Sequence, residues 1–208
     1  MAKLATHIIK NHRKYLRNFY WRHRPNPYKM MVAEFMLQRT KAEQVEPVYK
    51  KFLKQYPTVY NLAKAKSKSV AKYTNSLGLH CRYKKFLDAA KYIVDELKGE
   101  FPKTQKEMLK IPGVGDYVAG AVLAVCSNNA DYVIDSNIAR FINRYYGLGL
   151  KGEIRRKKII IEKAKKLFKT DNQKDLLFAL LDYTALVCKP IKPDCDKCIF
   201  NKCKTNCK

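Results

Sequence analysis

The chain has 208 residues, with 43 Lys and Arg against 18 Asp and Glu, which gives a formal net charge of +25 at pH 7. This length allows one domain or two small ones, and a hydrophobic content of 47% is enough for a buried core. A net charge of this size is far from that of a typical near-neutral enzyme and predicts a polyanionic binding partner. The alternative interpretation is a lysine-rich surface that serves solubility or heat resistance.

The amino-terminal residues 1–18 alternate basic and apolar side chains and lack the uninterrupted apolar stretch of a signal peptide. No later segment approaches the run of about 18 apolar residues that a membrane span requires. We therefore expect an intracellular protein, cytoplasmic or associated with the nucleoid, with no membrane partner. Seven cysteines, an odd number, argue against a closed disulfide framework and fit that compartment.

Apolar residues recur at helical spacing through nearly the whole chain, and no convincing strand alternation is present. Gly99 and Gly147 follow two of these patterns as helix stops. The last pattern carries a heavily basic face. The sequence therefore predicts an all-α protein, with amphipathic helices over residues 28–36, 87–97, 118–126, 138–145 and 159–167.

A Pro-Gly-Val-Gly turn at residues 112–115 runs directly into the predicted helix 118–126. Glycines allow backbone amides to approach a bound group, and the helix amino terminus adds positive potential, so this turn suits a phosphate. Eighteen residues beyond Tyr117 lies Asp135, in the sequence Val-Ile-Asp-Ser-Asn-Ile-Ala-Arg. An aspartate at a helix start also favours a simple N-cap, a role that Ser136 can fill equally well.

Five of the seven cysteines fall in the last 21 residues, in a run that also contains several lysines. Thiolates at this density indicate a metal or iron–sulfur site beside an anionic partner. From the spacing alone, a four-cysteine zinc site is the rival interpretation. The five are Cys188, Cys195, Cys198, Cys203 and Cys207.

In this order the turn, the aspartate segment and the cysteines resemble the helix-hairpin-helix DNA glycosylase superfamily, in its branches that carry a [4Fe-4S] cluster. The resemblance runs from about Trp21 to the carboxyl terminus. It implies an all-α, two-lobed fold, with a six-helix lobe over residues 22–134 that contains the hairpin. Residues 1–21 and 135–208 would form a discontinuous second lobe with the cluster region 188–207. Bent DNA would lie in the cleft between the lobes, with one nucleotide flipped out.

The resemblance also assigns catalytic roles. Asp135 matches the essential aspartate that faces the sugar of the flipped nucleotide. Tyr117 stands where the endonuclease III branch has a lysine nucleophile, and because tyrosine forms no Schiff base, we expect weak or no AP-lyase activity. Glu34 matches a glutamate that helps to protonate the leaving base or to position water. The alternatives are a core aromatic for Tyr117 and a solvated helix residue for Glu34.

Other residues match DNA contacts of the family. Gln38 and Arg39 stand where relatives insert a side chain into the duplex. Arg39 would fill the gap left by the flipped nucleotide and hydrogen-bond the orphaned base, which for guanine presents acceptors on its major-groove edge. Residues 77–80 resemble a second wedge loop, in which Leu79 would unstack the bases and His80 has no evident chemistry of its own. The remaining matches lie in the hairpin and in the loop between the first two clustered cysteines: Gly113, Val114, Gly115, Lys189 and Lys192.

Relatives bind their cluster through Cys-x6-Cys-x2-Cys-x5-Cys, whereas this chain has x4 before its fourth cysteine. The resemblance implies a structural and DNA-binding [4Fe-4S] cluster rather than metal catalysis. The predicted ligands are Cys188, Cys195, Cys198 and Cys203, with Cys207 as the alternative fourth.

The function that follows is a monofunctional base-excision-repair glycosylase that removes thymine or uracil opposite guanine. Removal of adenine opposite guanine or 8-oxoguanine is the alternative, supported by Met36-Leu37-Gln38 and by Phe19-Tyr20-Trp21-Arg22. A catalytically silent DNA-binding module is the non-enzymatic one. We expect a monomer that binds double-stranded DNA with a mismatched or damaged base. An abasic-site endonuclease is expected to process the product.

Overall fold

The structure, a computed structural model, describes residues 2–78 and 82–200. Within these residues the chain forms α-helices and short 3-10 helices and no β-strand, which confirms the all-α prediction. The 3-10 helices are His12–Lys14, Tyr20–Arg22 and Cys195–Lys197. The α-helices are α1 (Ala2–Asn11), α2 (Pro27–Leu37), α3 (Ala42–Gln55), α4 (Val59–Ala63), α5 (Ser67–Asn75), α6 (Tyr83–Asp95), α7 (Gln105–Met108), α8 (Asp116–Cys126), α9 (Ser136–Tyr146), α10 (Lys158–Phe168) and α11 (Gln173–Leu186).

The helices group into two compact units. The internal unit is Asn18–Ser127 and contains α2 to α8. The terminal unit joins the residues up to Arg17 with those from Asn128 onward, and contains α1 and α9 to α11. The lobe boundaries at residues 22 and 134 stay a prediction. No helix in the described ranges is long and apolar enough to cross a membrane.

Helix α2 forms the centre of the internal unit. The Asn26 side chain accepts a hydrogen bond from the Lys29 amide and caps the helix, and Pro27 stands at its first position. The sequence predicted an amphipathic helix, but α2 is buried on nearly all sides from Met30 to Met36. The reason is that α2 packs against both α3 and α8, so that two faces of the helix are covered by protein.

Helix α6 ends at Asp95, two residues before the predicted limit at Leu97. Lys98 and Gly99 both have positive φ, and the Gly99 amide donates to the Ile93 oxygen at 2.8 Å. The Tyr60 ring covers Gly99, where a Cβ atom would collide with it. The stop therefore needs glycine for both its backbone conformation and this contact.

In the terminal unit, α9 shows the amphipathic pattern that the sequence predicted, with Ile138, Phe141 and Ile142 buried. Gly147 ends α9 in the left-handed conformation at φ 62°, as expected for a helix stop. Helix α10 buries Ile160, Leu167 and two further side chains, and it carries Lys163, Lys165 and Lys166.

Candidate active site and nucleic-acid interface

Glu34 lies in the middle of α2 and is only 4% exposed, so it is not a solvated helix glutamate. Its neighbours Ala33 and Phe35 are fully buried. Burial of this carboxyl group carries a desolvation cost, and it departs from the exposed position that is usual for glutamate.

The carboxyl end of α2 presents the two predicted wedge residues of this helix. Gln38 is the C-cap, and its main-chain oxygen accepts a hydrogen bond from Arg82 Nη1 at 3.1 Å. Its side-chain oxygen accepts one from Lys85 Nζ at 3.2 Å. Arg39 follows with φ 61° and is exposed. Positive φ is uncommon for a non-glycine residue and concentrates at functional sites.

The predicted hairpin is a tight turn that leads into α8. The Val114 amide donates to the Ile111 oxygen at 3.0 Å, and Gly113 adopts φ 78°. Val114 is buried and anchors the turn, whereas Gly113 and Gly115 are exposed. Gly115 is the N-cap of α8, so the first amides of α8 begin directly after it. These amides have no intrahelical acceptor and suit an anion such as a phosphate.

Tyr117 is the second residue of α8 and is half-buried. It is therefore partly accessible rather than enclosed in the core, while the next residues of α8 form the core face. Of the second predicted wedge loop, Leu77 and Gly78 are described, with Gly78 at φ 69°. Leu79 and His80 lie outside the described residues.

In the terminal unit, Asp135 caps α9. Its Oδ1 accepts a hydrogen bond from the Ile138 amide at 2.7 Å, and its Oδ2 accepts one from Asn137 Nδ2 at 2.7 Å. Burial raises the pKa of the Asp135 carboxyl above its ordinary value of 3.8, and these two hydrogen bonds and the charge of Arg140 act in the opposite direction. The capping role is thus observed, performed by Asp135 and not by Ser136.

A chain of hydrogen bonds leads from Asp135 to the first clustered cysteine. Asn137 Oδ1 accepts from Arg140 Nη1 at 2.9 Å. Arg140 Nη2 donates to the Cys188 oxygen at 2.8 Å and to the Thr184 oxygen at 3.0 Å. One guanidinium therefore connects the carboxylate network at the start of α9 with the end of α11.

The loop that follows Cys188 is held by the next turn of α9. Arg144 Nη2 donates to the Pro190 oxygen at 2.9 Å, and Arg144 Nη1 lies 3.6 Å from Cys188 Sγ. In this loop Lys192 is exposed with φ 49°, and Lys189 is half-buried. Both lysines therefore belong to a loop whose backbone is held by hydrogen bonds from an arginine.

Three of the predicted cluster ligands line one pocket. Tyr183 Oη lies 3.0 Å from Cys198 Sγ at its wall. The donor set fits an iron–sulfur cluster because thiolates are its usual ligands. Among residues 2–78 and 82–200, no three His, Cys, Asp or Glu side chains are arranged to hold a metal ion. Cys203 and Cys207, the candidate fourth ligands, lie outside these residues. The pocket is lined by Phe141, Arg144, Tyr145, Tyr183, Val187, Cys188, Pro193, Asp194, Cys195, Cys198 and Phe200.

Sequence reasoning missed the residues that support these sites. Asn137, Arg140 and Arg144 were visible as polar positions three and four residues apart on α9, a spacing that places them on one helix face. Lys85 gave no sequence signal, because its partner Gln38 is 47 residues away.

A model of the HhH-GPD superfamily of base excision DNA repair proteins matches residues 32–170, about two thirds of the chain. The chain belongs to the HhH-GPD superfamily. Residues 32–170 include α2 from Val32 onward, the turn at residues 112–115 and α9. The recognition made from the motifs is therefore confirmed.

Individual HhH-GPD relatives cover nearly the whole chain. A thymine/uracil-DNA glycosylase of Methanothermobacter thermautotrophicus is 32% identical over 89% of this chain and 85% of its own length. An adenine DNA glycosylase of Buchnera aphidicola is also 32% identical over 90% of this chain, but the match spans only 52% of that relative. A solved thermostable thymine-DNA glycosylase superimposes with a TM-score of 0.87 at 30% identity, covering 94% of this chain and 91% of that one.

Proposed function

We propose that this protein is a monofunctional base-excision-repair DNA glycosylase that removes thymine or uracil opposite guanine. The observation that carries the proposal is the Asp135 carboxylate, which is fixed by Ile138 and Asn137 at the start of α9. Similarity to thymine/uracil-DNA glycosylases over 85% of one relative's length supports the choice of substrate. The reaction is hydrolysis of the N-glycosidic bond of a flipped nucleotide.

In the proposed mechanism Asp135 acts on the sugar. As the bond to the base breaks, positive charge develops on the sugar ring, and a carboxylate stabilises that charge or guides the attacking water. Only the ionised form does this, so the hydrogen bonds that lower the pKa of Asp135 oppose the effect of burial and favour the active form. Because the amide of Ile138 and the side chain of Asn137 hold both oxygens, the group is oriented before DNA binds.

Glu34 and Tyr117 act on the base. The low exposure of Glu34 supports a role as the acid that protonates the leaving base or positions water. Tyr117, half-buried at the start of α8, would line the pocket for the flipped base. A phenol cannot form the Schiff base that β-elimination requires, so the expected product is an abasic site in an intact strand.

Double-stranded DNA with a mismatched base is the proposed partner, bound through three groups of residues. Gln38 and Arg39 enter the gap left by the flipped nucleotide, and Leu79 with His80 form the second wedge. The hairpin amides around Gly113, Val114 and Gly115 bind a phosphate. Lys189 and Lys192 contact the DNA backbone through their charge.

The residues that would hold a [4Fe-4S] cluster are Cys188, Cys195 and Cys198, with Cys203 or Cys207 as the fourth. When bound, the cluster supplies covalent cross-links that hold the lysine-bearing loop after Cys188. Arg144 and Arg140 hold the same loop and the Cys188 carbonyl through hydrogen bonds. We also propose that the protein acts as a monomer at the nucleoid, and that an abasic-site endonuclease processes its product. One proposed lobe spans residues 22–134, and the other joins residues 1–21 with residues 135–208.

Adenine excision is the second candidate, favoured by the 32% identity to an adenine DNA glycosylase over 90% of this chain. The chain spans about half of that relative, so the similarity covers only part of what that relative contains. A silent DNA-binding module is the non-enzymatic candidate.

The test is base excision from end-labelled duplexes that carry G·T, G·U, A·G or A·8-oxoguanine pairs, each with and without alkali. We expect strand breaks at T or U opposite G that depend on alkali. Breaks at A would select the second candidate, and breaks without alkali would contradict the monofunctional assignment. Duplex binding without any excision would favour the silent module.

A further inference from the structure

Lys85 of α6 joins the end of α2 to the hairpin inside the internal unit. Its Nζ donates to Gln38 Oε1 at 3.2 Å and lies 4.4 Å from the centre of the buried Phe35 ring. Arg82, the N-cap residue of α6, donates a hydrogen bond to the main-chain oxygen of Gln38. Two cations therefore fix the main chain and the side chain of one glutamine.

The stem of Lys85 lies directly against Gly113. A Cβ atom on Gly113 would sit 2.6 Å from Lys85 Cε and 2.9 Å from Lys85 Cδ, and closer still to Cγ. The absence of a side chain at Gly113 thus provides the space in which the lysine stem lies. Burial, together with the charge of Arg82, lowers the pKa of Lys85, in keeping with an ammonium group held among protein atoms.

The chemistry of this contact sets the orientation of the Gln38 amide. An ammonium group has three donors and no acceptor, so only the amide oxygen can face it. The two N–H donors of Gln38 Nε2 are then left for other acceptors. Without Lys85 the amide could rotate by half a turn and present its oxygen instead.

We propose that Lys85 is a positioning residue that orients Gln38 so that its N–H groups meet an acceptor on the base left unpaired by nucleotide flipping. The assignment rests on the proposed function of Gln38 as a wedge. Guanine carries an O6 acceptor where adenine carries an N6 donor. A Gln38 amide locked as a donor therefore favours guanine over adenine as the opposite base, and Lys85 contributes to specificity without touching DNA.

The experiment measures binding to duplexes with a tetrahydrofuran abasic analogue opposite dG or dA, which requires no base excision. The wild type should prefer dG, and Lys85→Met should reduce the dG/dA affinity ratio by about five- to tenfold, the effect of one oriented hydrogen bond. Methionine keeps most of the stem against Gly113. Lys91→Met removes an exposed lysine of the same helix and should leave the ratio unchanged.

A double-mutant cycle separates positioning from a direct or purely structural role. In a Gln38→Ala background, Lys85→Met should have no further effect on the ratio, because Lys85 acts through Gln38. Lys85→Arg, which keeps a donor-only head group, should restore part of it. Urea unfolding verifies that each variant folds.

An unchanged ratio in Lys85→Met, a wild type without dG preference, or additive effects with Gln38→Ala would each overturn the assignment. If the ratio responds as expected but no duplex loses a base in the excision assay, the proposed glycosylase activity fails while the role of Lys85 stands.

Discussion

Arg140 donates two hydrogen bonds to the main-chain oxygen of Cys188, from Nε at 3.1 Å and from Nη2 at 2.8 Å. The same guanidinium donates to Asn137, whose amide donates to Asp135. The carboxylate proposed to act on the sugar and the first proposed cluster ligand therefore share one hydrogen-bonded network. Loss of one member of this network therefore removes hydrogen bonds that hold the others.

Asp135→Asn should abolish excision while duplex affinity stays close to that of the wild type. Asparagine caps a helix as well as aspartate does, so α9 should remain intact. It lacks the negative charge that stabilises the sugar in the transition state, and we expect a loss of at least about 10²-fold in single-turnover rate. Asp131→Asn, which changes an exposed carboxylate four residues earlier, is the control. Normal excision by Asp135→Asn would remove the aspartate from the mechanism.

Asn137→Ala should move the acid limb of the kcat/KM profile to higher pH. The ionised form of Asp135 is the active one, and the Asn137 hydrogen bond lowers the pKa of this carboxyl. Its loss therefore raises that pKa, so activity should fall more at acidic pH than at neutral pH. For the wild type, the limb should lie above 3.8, the ordinary aspartate value, because burial raises the pKa. Ser136→Ala, at an exposed neighbour, should not shift it; a shift to lower pH in Asn137→Ala would contradict the assignment.

Arg140→Met should destabilise the terminal unit by about 2 kcal/mol, because it leaves partly buried carbonyl groups without donors. The carbonyls are those of Cys188 and Thr184. Urea unfolding measures the loss, and the iron content of the purified protein should fall with it. Arg155→Met, which removes an exposed arginine paired with Glu153, should change neither quantity. Equal stability of the two variants would show that the hydrogen bonds of Arg140 contribute nothing to the free energy of unfolding.

Arg17→Met should destabilise the protein by about 3 kcal/mol in the same assay. Asp182 is fully buried, and Arg17 bonds it through the side chain at 2.7 Å and through the main-chain amide at 3.0 Å. Removing the guanidinium leaves a buried carboxylate with less compensation, which is more costly than losing a surface pair. The matched control is Arg13→Met, at an exposed position of the same segment. A loss no larger than in that control would mean that Asp182 is compensated by its other contacts.

Local sequence was sufficient for much of this fold. Apolar spacing and glycine stops predicted the helices over residues 118–126 and 138–145, because helix formation depends on residues three and four positions apart and on end caps. Asp135 as a cap and the turn at residues 112–115 were readable for the same reason. The predicted amphipathic stripe of α2 was wrong, since its burial depends on which helices cover it.

The motifs determined the superfamily, and with it the candidate residues Asp135, Tyr117 and Glu34. The tertiary structure decided what holds such residues: Lys85 meets Gln38 across 47 positions, and Arg17 meets Asp182 across 165. No periodicity encodes these pairs, because they arise only when helices distant in sequence pack and desolvate particular polar groups together. The sequence by itself thus determined the helices and the chemical groups, whereas packing decided the burial of Glu34, the orientation of Gln38 and the link from Asp135 to Cys188.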